Sequence, residues 1–233
     1  MANEPNSGHV KNVSSFESLV TFCADYGSAY QPSKKSLSFD NLRSVLESAT
    51  SCMNDCKAKE IAYDNAVDGR IEAFKSLKGL STKVVNALKV SEGISNQINE
   101  AARTINHRVQ GTRPTSETKV VSSSKQGFDE RIAEFAGLVE LVKSQPTYQP
   151  NEPHLKTEGL EAHLAMLKAS HGAINQAYTE WESCRARRDG ILYAPGTGMV
   201  PVALDVKDYL KTAFGTDTSQ YLRVKKLKFR NAD

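Results

Sequence analysis

Two arginines combine charge with an apolar setting, which makes them the most informative polar residues of the chain. Arg70 and Arg188 lie 118 residues apart, and each occupies a helical heptad position in a seam otherwise filled by Leu, Tyr, Trp and Phe. A guanidinium keeps its proton, so a buried one requires a carboxylate or carbonyl groups around it. One interpretation is an anion-binding or partner-binding site. The structural interpretation, which we favour, is a stem lying along the seam or a buried ion pair, with Glu60 or the returning helix supplying the partner.

The second candidate site is the C-terminal segment YLRVKKLKFR, which contains five cations and no acid. These cations are Arg223, Lys225, Lys226, Lys228 and Arg230. Such a segment can dock on an acidic protein, a nucleic acid or an anionic lipid. The alternative is that its apolar residues Leu222, Val224, Leu227 and Phe229 pack on the helices while the charges stay in water, and the presence of these apolar residues favours this packing.

Catalytic and metal-binding patterns receive little support. The five histidines and four cysteines lie scattered, without the spacing of HExxH or CxxC, and no GxSxG or Walker sequence occurs. Cys52 and Cys56 lie one helical turn apart, which suits a metal or a thiol sensor, but a pair of small core residues is the favoured interpretation. We therefore expect no catalytic residue, no metal and no cofactor, and a protein that is not an enzyme.

The chain repeats itself at the same offset of 118 residues. Tyr-Gln-Pro begins at Tyr30 and again at Tyr148, and the flanking positions match without a gap. The matching pairs include Leu37 with Leu155, Leu42 with Leu160, Leu46 with Leu164, Tyr63 with Trp181, and Phe74 with Leu192. Pro32 and Pro150 hold an extended corner, Ser33 and Asn151 are expected to cap the following helix, and each tyrosine is expected to pack between helices rather than stack on a ligand.

A linker separates the two copies. Residues 111–127, GTRPTSETKVVSSSKQG, cluster Pro, Gly and Ser without apolar periodicity. We therefore predict an N-terminal helical repeat over residues 1–113, a Ser-rich linker over 114–127, and a C-terminal helical repeat with a basic tail over 128–233.

Each copy is predicted to contain a short helix, a corner, a long helix and a return helix antiparallel to it. The return helix of the first copy is expected to begin after Gly79 and to extend from Val84 to Val109, and that of the second from Val202 to Phe214. The predicted fold is all-α, an elongated helical bundle of about six helices built from two tandem hairpin repeats with pseudo-twofold symmetry.

Composition narrows the class of protein. Hydrophobic residues make up 39% of the 233 residues and charged residues 24%, with a net charge of only +3. This balance disfavours nucleic acid as a partner. The polar first residues cannot act as a secretory signal, and no run approaches the ~20 apolar residues that span a bilayer. We expect a soluble, cytoplasmic protein without a transmembrane segment.

Several segments resemble an uncharacterised, internally duplicated helical-bundle family of Bacteroidota. They are YQPNEPHLKTEGLEAHL, RARRDGILY, GTGMVPVALDVKDYLKTAFGTDTSQYLRVKKLKF and, in the first copy, VVNALKVSEGISNQINEAARTINHRVQGTR. The resemblance covers most of the chain. It implies a mostly helical, duplicated protein, and it implies neither an enzymatic activity nor a cofactor.

Three functional hypotheses follow from these observations. The leading one is a non-catalytic structural or scaffold protein that self-assembles through its duplicated hairpins into a filament or another oligomer, with itself or another protein as partner. The second is a protein that binds an anionic partner or nucleic acid through the basic C-terminal arm. The third is a helical, pore-forming protein that acts on membranes.

Overall fold

A computed structural model of the protein describes residues 7–111 and 124–231. Over these ranges the chain forms eight α-helices and no strand, which confirms the predicted all-α class. The helices are α1 (Ser7–Asp25), α2 (Phe39–Lys75), α3 (Leu77–Lys89), α4 (Asn96–Gln110), α5 (Ser124–Lys143), α6 (Thr157–Tyr193), α7 (Met199–Phe214) and α8 (Ser219–Lys225). Two 3₁₀ turns, Gly27–Ala29 and Lys35–Leu37, lie between α1 and α2.

The return run of the first copy consists of two helices, so the prediction of one continuous helix is wrong. The break after α2 falls at Ser76, and Gly79 lies inside α3. The run is then interrupted between α3 and α4, where Gly93 adopts φ +71°, a conformation that favours glycine. Ser95 caps α4 by accepting a hydrogen bond from the backbone N–H of Ile98.

The Tyr-Gln-Pro corners place the same hydrogen bond in both copies. The Tyr30 hydroxyl donates to the Leu37 carbonyl at 2.6 Å, and the Tyr148 hydroxyl donates to the Leu155 carbonyl at 2.9 Å. Both rings are buried, so each tyrosine closes its corner from within. The predicted caps are wrong, because α2 and α6 begin six residues after Ser33 and Asn151. Matching corners are what an internal duplication predicts. The duplication of the whole chain stays a prediction.

The chain divides into two compact units that differ from the predicted repeats. The terminal unit comprises Met1–Ala62 and Thr179–Asp233, and the central unit comprises Tyr63–Tyr178. Each unit therefore contains segments of both sequence copies. The predicted repeat boundaries stay predictions, because a repeat is defined by sequence similarity and a compact unit by which segments pack together. Within the predicted linker, residues 114–123 lie outside the described ranges, and residues 124–127 belong to α5.

In the terminal unit, one apolar core joins α1, the first corner, the beginning of α2, the end of α6, α7 and α8. Its fully buried side chains include Phe16, Leu19, Leu42, Leu192, Met199, Leu210 and Val224. Pro201 lies in the first turn of α7, where the missing N–H has no intrahelical acceptor to lose. The core therefore unites the corner of the first copy with the return helix of the second.

In the central unit, the core joins the end of α2, α3, α4, α5, the second corner and the first part of α6. Its fully buried side chains include Leu77, Val84, Leu88, Ala102, Val109, Phe135, Leu138, Leu160 and Leu167. Helices α3 and α4 are antiparallel. The Ser81 hydroxyl donates to the Asn106 side-chain oxygen at 2.7 Å, and the Gln110 amide donates to the Lys78 carbonyl at 3.0 Å. Among the described helices, none is long and apolar enough to cross a membrane.

Candidate anion-binding pocket at Arg70

Arg70 is a buried cation without a charged partner in the part of the chain that the structure describes. It lies near the end of α2 in the central unit and is 7% exposed. Its Nε is buried and lacks a hydrogen-bond partner, and no ion pair joins the guanidinium to a described carboxylate. An uncompensated buried charge is destabilising, so this arrangement requires an explanation beyond packing.

Aromatic stacking holds the Arg70 side chain in place. Its guanidinium carbon lies 4.0 Å from the centre of the Phe128 ring of α5. Phe128 in turn meets the Phe74 ring edge to face, with the centroids 4.8 Å apart. Arg131 lies 5.2 Å from the Phe74 ring and donates its Nε–H to the Val109 carbonyl at 3.1 Å. Stacking uses the flat face of the Arg70 guanidinium and leaves its N–H edge available for another group.

The two arginines of this cluster differ in their hydrogen bonding. Burial lowers the pKa of Arg131, yet its Nε–H has a carbonyl acceptor, whereas the Nε–H of Arg70 has none in the described residues. Arg70 is therefore the group in the cluster with unused donor capacity.

An open, groove-like cavity of about 590 Å³ lies beside Arg70 within the central unit. Its walls come from α2 and α6 and are small or apolar. They include Ala66, Gly69, Ala73, Met166 and Ala173. Met166 remains 44% exposed, so the wall presents uncovered apolar surface. The volume falls within the range of ~300–1,000 Å³ that is usual for small-molecule pockets.

The polar residues of the wall other than Arg70 already have local partners or lie in water. The Ser170 hydroxyl donates to the Leu167 carbonyl at 2.9 Å. Glu72 pairs with Lys75 at 3.4 Å, and both side chains are largely exposed. Arg70 is consequently the one cation among the described lining residues.

Arg188, the repeat partner of Arg70, has a different environment. It is 6% exposed in the terminal unit, but its Nε donates to Oδ1 of Asp189 at 2.9 Å, and its Nη2 forms an ion pair with the same oxygen at 2.8 Å. The residue that follows Arg70 is Ile71, whose side chain cannot accept a hydrogen bond. Glu60, which we expected as a partner in the seam, instead pairs with Lys57 at 2.9 Å. The two copies therefore share the arginine but not its counter-ion.

The basic tail is attached to the terminal unit through its backbone and apolar residues. Val224 is fully buried, and Leu227 and Phe229 pack partly buried against the core. The Asn12 side chain donates to the Arg230 carbonyl at 2.8 Å and accepts from the Arg230 N–H at 2.9 Å. The predicted docking residues Arg223, Lys225, Lys226, Lys228 and Arg230 are all exposed. Their backbone is held by packing, whereas their charges remain in solvent.

Sequence reasoning identified Arg70 but missed the residues that give it a site. Phe128 is recognisable as part of an amphipathic stripe, yet nothing in the sequence indicates that it stacks on Arg70. Met166 and the small residues of the wall carry no signal that distinguishes them from other helix positions. Arg188 was a candidate anion-binding residue at the corresponding position of the second copy, and the two arginines lie in different units.

The described pocket combines one fixed cation with apolar walls, an arrangement that can bind and orient an organic anion. Comparisons of the chain with known protein families, with curated proteins and with solved structures found no match. The resemblance to a duplicated helical family of Bacteroidota therefore stays an expectation.

Proposed function

We propose that this is a non-catalytic binding protein that holds the carboxylate of an apolar organic acid on Arg70. The single observation that carries the proposal is a buried arginine, 7% exposed as a residue, whose guanidinium is unpaired among the described residues and which lines an apolar cavity. A bound carboxylate supplies the missing counter-ion, and the hydrocarbon part of the ligand covers the apolar wall.

The chemistry of the lining selects a carboxylate with an apolar body. The planar guanidinium matches the two oxygens of a carboxylate, and such charge-assisted pairs are roughly twice as strong as neutral hydrogen bonds. A phosphate monoester carries more charge than one cation balances. Small residues such as Ala66, Ala73 and Ala173 leave room for an aliphatic chain.

Calorimetric titration with decanoate tests the proposal. We expect saturable binding of decanoate to the wild-type protein and no comparable binding of decan-1-ol, which has the same chain length without the charge. The substitution Arg70→Lys keeps a cation but removes the planar pair of donors, so it should weaken decanoate binding at least about tenfold.

The chain supplies its own matched control. Arg188→Lys changes the repeat-related arginine, whose counter-ion is already present, and should leave decanoate affinity unchanged. Equal decanoate affinity in the Arg70→Lys and wild-type proteins would overturn the proposal, as would absence of decanoate binding or equal binding of the alcohol.

Self-assembly as a structural scaffold, docking through the basic tail and membrane action stay predictions. None has a described contact that favours it in the way that the Arg70 cavity favours an anionic ligand.

A further inference from the structure

Three cysteine sulfurs meet in the terminal unit, whereas Arg70 belongs to the central unit. Cys52 and Cys56 lie one turn apart on α2, and Cys184 faces them from α6. The three Sγ atoms all lie within 4.8 Å of one another, and each residue is 6% exposed or less. Cys56 and Cys184 are joined by a disulfide, while Cys52 is a free thiol.

A carboxylate and a guanidinium adjoin this cluster. Cys184 Sγ lies 3.5 Å from Oδ2 of Asp55. The Arg187 guanidinium donates to Asp55 Oδ2 and, at 3.5 Å, to Cys184 Sγ. Hydrogen bonding to the Cys52 sulfur, followed by hydrogen bonding to Asp55, raises the pKa of Arg187. The four possible ligand groups therefore already interact with one another or with one shared cation.

We propose that, in the reduced protein, Cys52, Cys56 and Cys184 bind a zinc-class divalent ion as thiolates, with Asp55 as the fourth ligand. Three thiolates and one carboxylate are donors that tetrahedral zinc accepts. With Zn–S distances of about 2.3 Å, tetrahedral geometry places sulfurs about 3.8 Å apart. The observed cluster, within 4.8 Å, requires only local side-chain adjustment after the disulfide opens.

The third cysteine distinguishes a metal site from a simple cross-link. A disulfide needs two sulfurs, and Cys56 and Cys184 supply them. Cys52 adds a third sulfur on the same face of α2. The remaining cysteine, Cys23, lies in the core of the same unit beside Tyr30, and burial raises its pKa to about 12. Cys23 is therefore a buried free thiol that lies outside the cluster, and it serves as a comparison for the three clustered cysteines.

Charge also fits the proposed centre. Three thiolates, one carboxylate and a divalent ion carry a net charge of −2, because four negative ligands meet two positive charges. Arg187 offsets part of this charge through its hydrogen bond to Asp55 Oδ2. Partners that orient a metal ligand in this way commonly change metal affinity by about 10–100-fold.

Reduction of the disulfide and binding of the metal ion are two separate chemical steps. A water-soluble phosphine reduces the Cys56–Cys184 disulfide, giving two thiols and a phosphine oxide whose oxygen comes from water. The divalent ion then binds the three sulfurs and releases three thiol protons, while the Asp55 carboxylate is already ionised at neutral pH.

Titration of the phosphine-reduced full chain with Co²⁺ tests the site. We expect one ion per chain, a thiolate-to-cobalt charge-transfer band, the visible bands of tetrahedral Co²⁺, and loss of both on addition of Zn²⁺. The oxidised protein should show neither band. Cys52→Ser should abolish tight binding, and Asp55→Asn should weaken it about 10–100-fold while retaining the charge-transfer band.

Cys23→Ser is the matched control and should bind Co²⁺ as the wild type does. Circular dichroism of each variant before titration establishes that it is folded. If Cys52→Ser does not fold, the wild-type titration still decides the matter. The proposal fails if the reduced wild-type protein gives no charge-transfer band, or if a folded Cys52→Ser variant binds Co²⁺ with unchanged affinity, since the cysteines then form only a cross-link.

Discussion

At the scale of single residues, one position changes what a repeated arginine can do. Arg188 is followed by Asp189, which accepts a hydrogen bond from its Nε and forms an ion pair with its Nη2, whereas Arg70 is followed by Ile71. A carboxylate next to a buried guanidinium completes an ion pair and occupies its donors. Without that carboxylate, the same guanidinium keeps unused donors beside the cavity. We therefore expect Ile71→Asp to compete with an organic acid for Arg70.

Because of His163, we expect the stability of the central unit to decrease as the pH falls into the mildly acidic range. Its ring meets the Phe135 ring edge to face at 5.7 Å, its Nε2 is buried without a partner in the described residues, and desolvation lowers its pKa below 6.5. As pH falls below 6.5, the unfolded chain binds a proton before the folded chain does. Stability therefore falls with pH until the lower, folded pKa is passed.

Replacing His163 tests this sign. Val45 occupies the position 118 residues earlier in the sequence, and His163→Val removes the titratable ring while keeping an apolar side chain. The loss of melting temperature between pH 7.5 and 5.5 should be smaller in this variant than in the wild type. The exposed His107→Gln serves as control. An unchanged pH dependence in His163→Val would show that His163 titrates equally in both states.

Arg70 also shows how far residue-level prediction reaches. A cation in an apolar seam signals burial, and the structure confirms that burial at 7% exposure. Its stacking on Phe128 depends on how α5 lies beside α2, and the heptad spacing within α2 does not predict the position of α5. The three-cysteine cluster was missed for the same reason, because Cys184 is 128 residues from Cys56 in sequence.

At the scale of elements, the long helices were predictable and their ends were not. The heptad patterns predicted α2 and α6, which are 37 residues each. The division of the return run at Gly93 was missed, because apolar spacing continues across the break while the backbone needs a left-handed turn there. The first corner was predicted only in part. Pro32 indicated an extended segment, but nothing in the sequence indicated the 3₁₀ turn that follows it.

Asn12 is expected to hold the C-terminal tail on the terminal unit. Its buried amide exchanges two hydrogen bonds with the backbone of Arg230. Asn12→Ala removes both bonds and leaves polar backbone groups without partners, which should cost about 1–3 kcal/mol. Limited trypsin digestion followed by mass spectrometry should then show faster cleavage after Lys225, Lys226 and Lys228.

The exposed neighbour Lys11→Ala controls for changes in α1 that are unrelated to the tail. Tail cleavage at the wild-type rate in Asn12→Ala would mean that Val224 and its apolar neighbours hold the segment without the amide.

At the scale of the whole molecule, the compact units do not follow the sequence repeats. Helices α2 and α6 each contribute residues to both units. A repeat search along the sequence detects similarity between segments, whereas the units are defined by which segments pack together. The sequence therefore predicted an all-α protein correctly, but the exchange of corners and return helices between copies requires tertiary contacts that periodicity does not encode.

Because two continuous helices belong to both units, we expect unfolding to be shared. The single tryptophan, Trp181, lies in the terminal unit, while Leu88 is fully buried in the central unit. Leu88→Ala should cost about 2–5 kcal/mol and lower the melting temperature by about 4–20 °C. The transitions recorded by Trp181 fluorescence and by far-ultraviolet circular dichroism should move together.

The exposed substitution Val90→Ala should leave both transitions nearly unchanged, since Val90 is 82% exposed. A fluorescence transition that stays in place while the dichroism transition of Leu88→Ala moves would show instead that the units unfold independently.

The most direct test of the proposed binding function is an NMR titration of the arginine side chains with decanoate. The guanidinium signal that disappears in Arg70→Lys identifies Arg70, and the signal lost in Arg188→Lys provides an internal reference. We predict that decanoate shifts the Arg70 signal in a saturable manner and leaves the Arg188 signal in place. An unmoved Arg70 signal at decanoate concentrations that saturate binding would contradict the assignment of this guanidinium as the anion site.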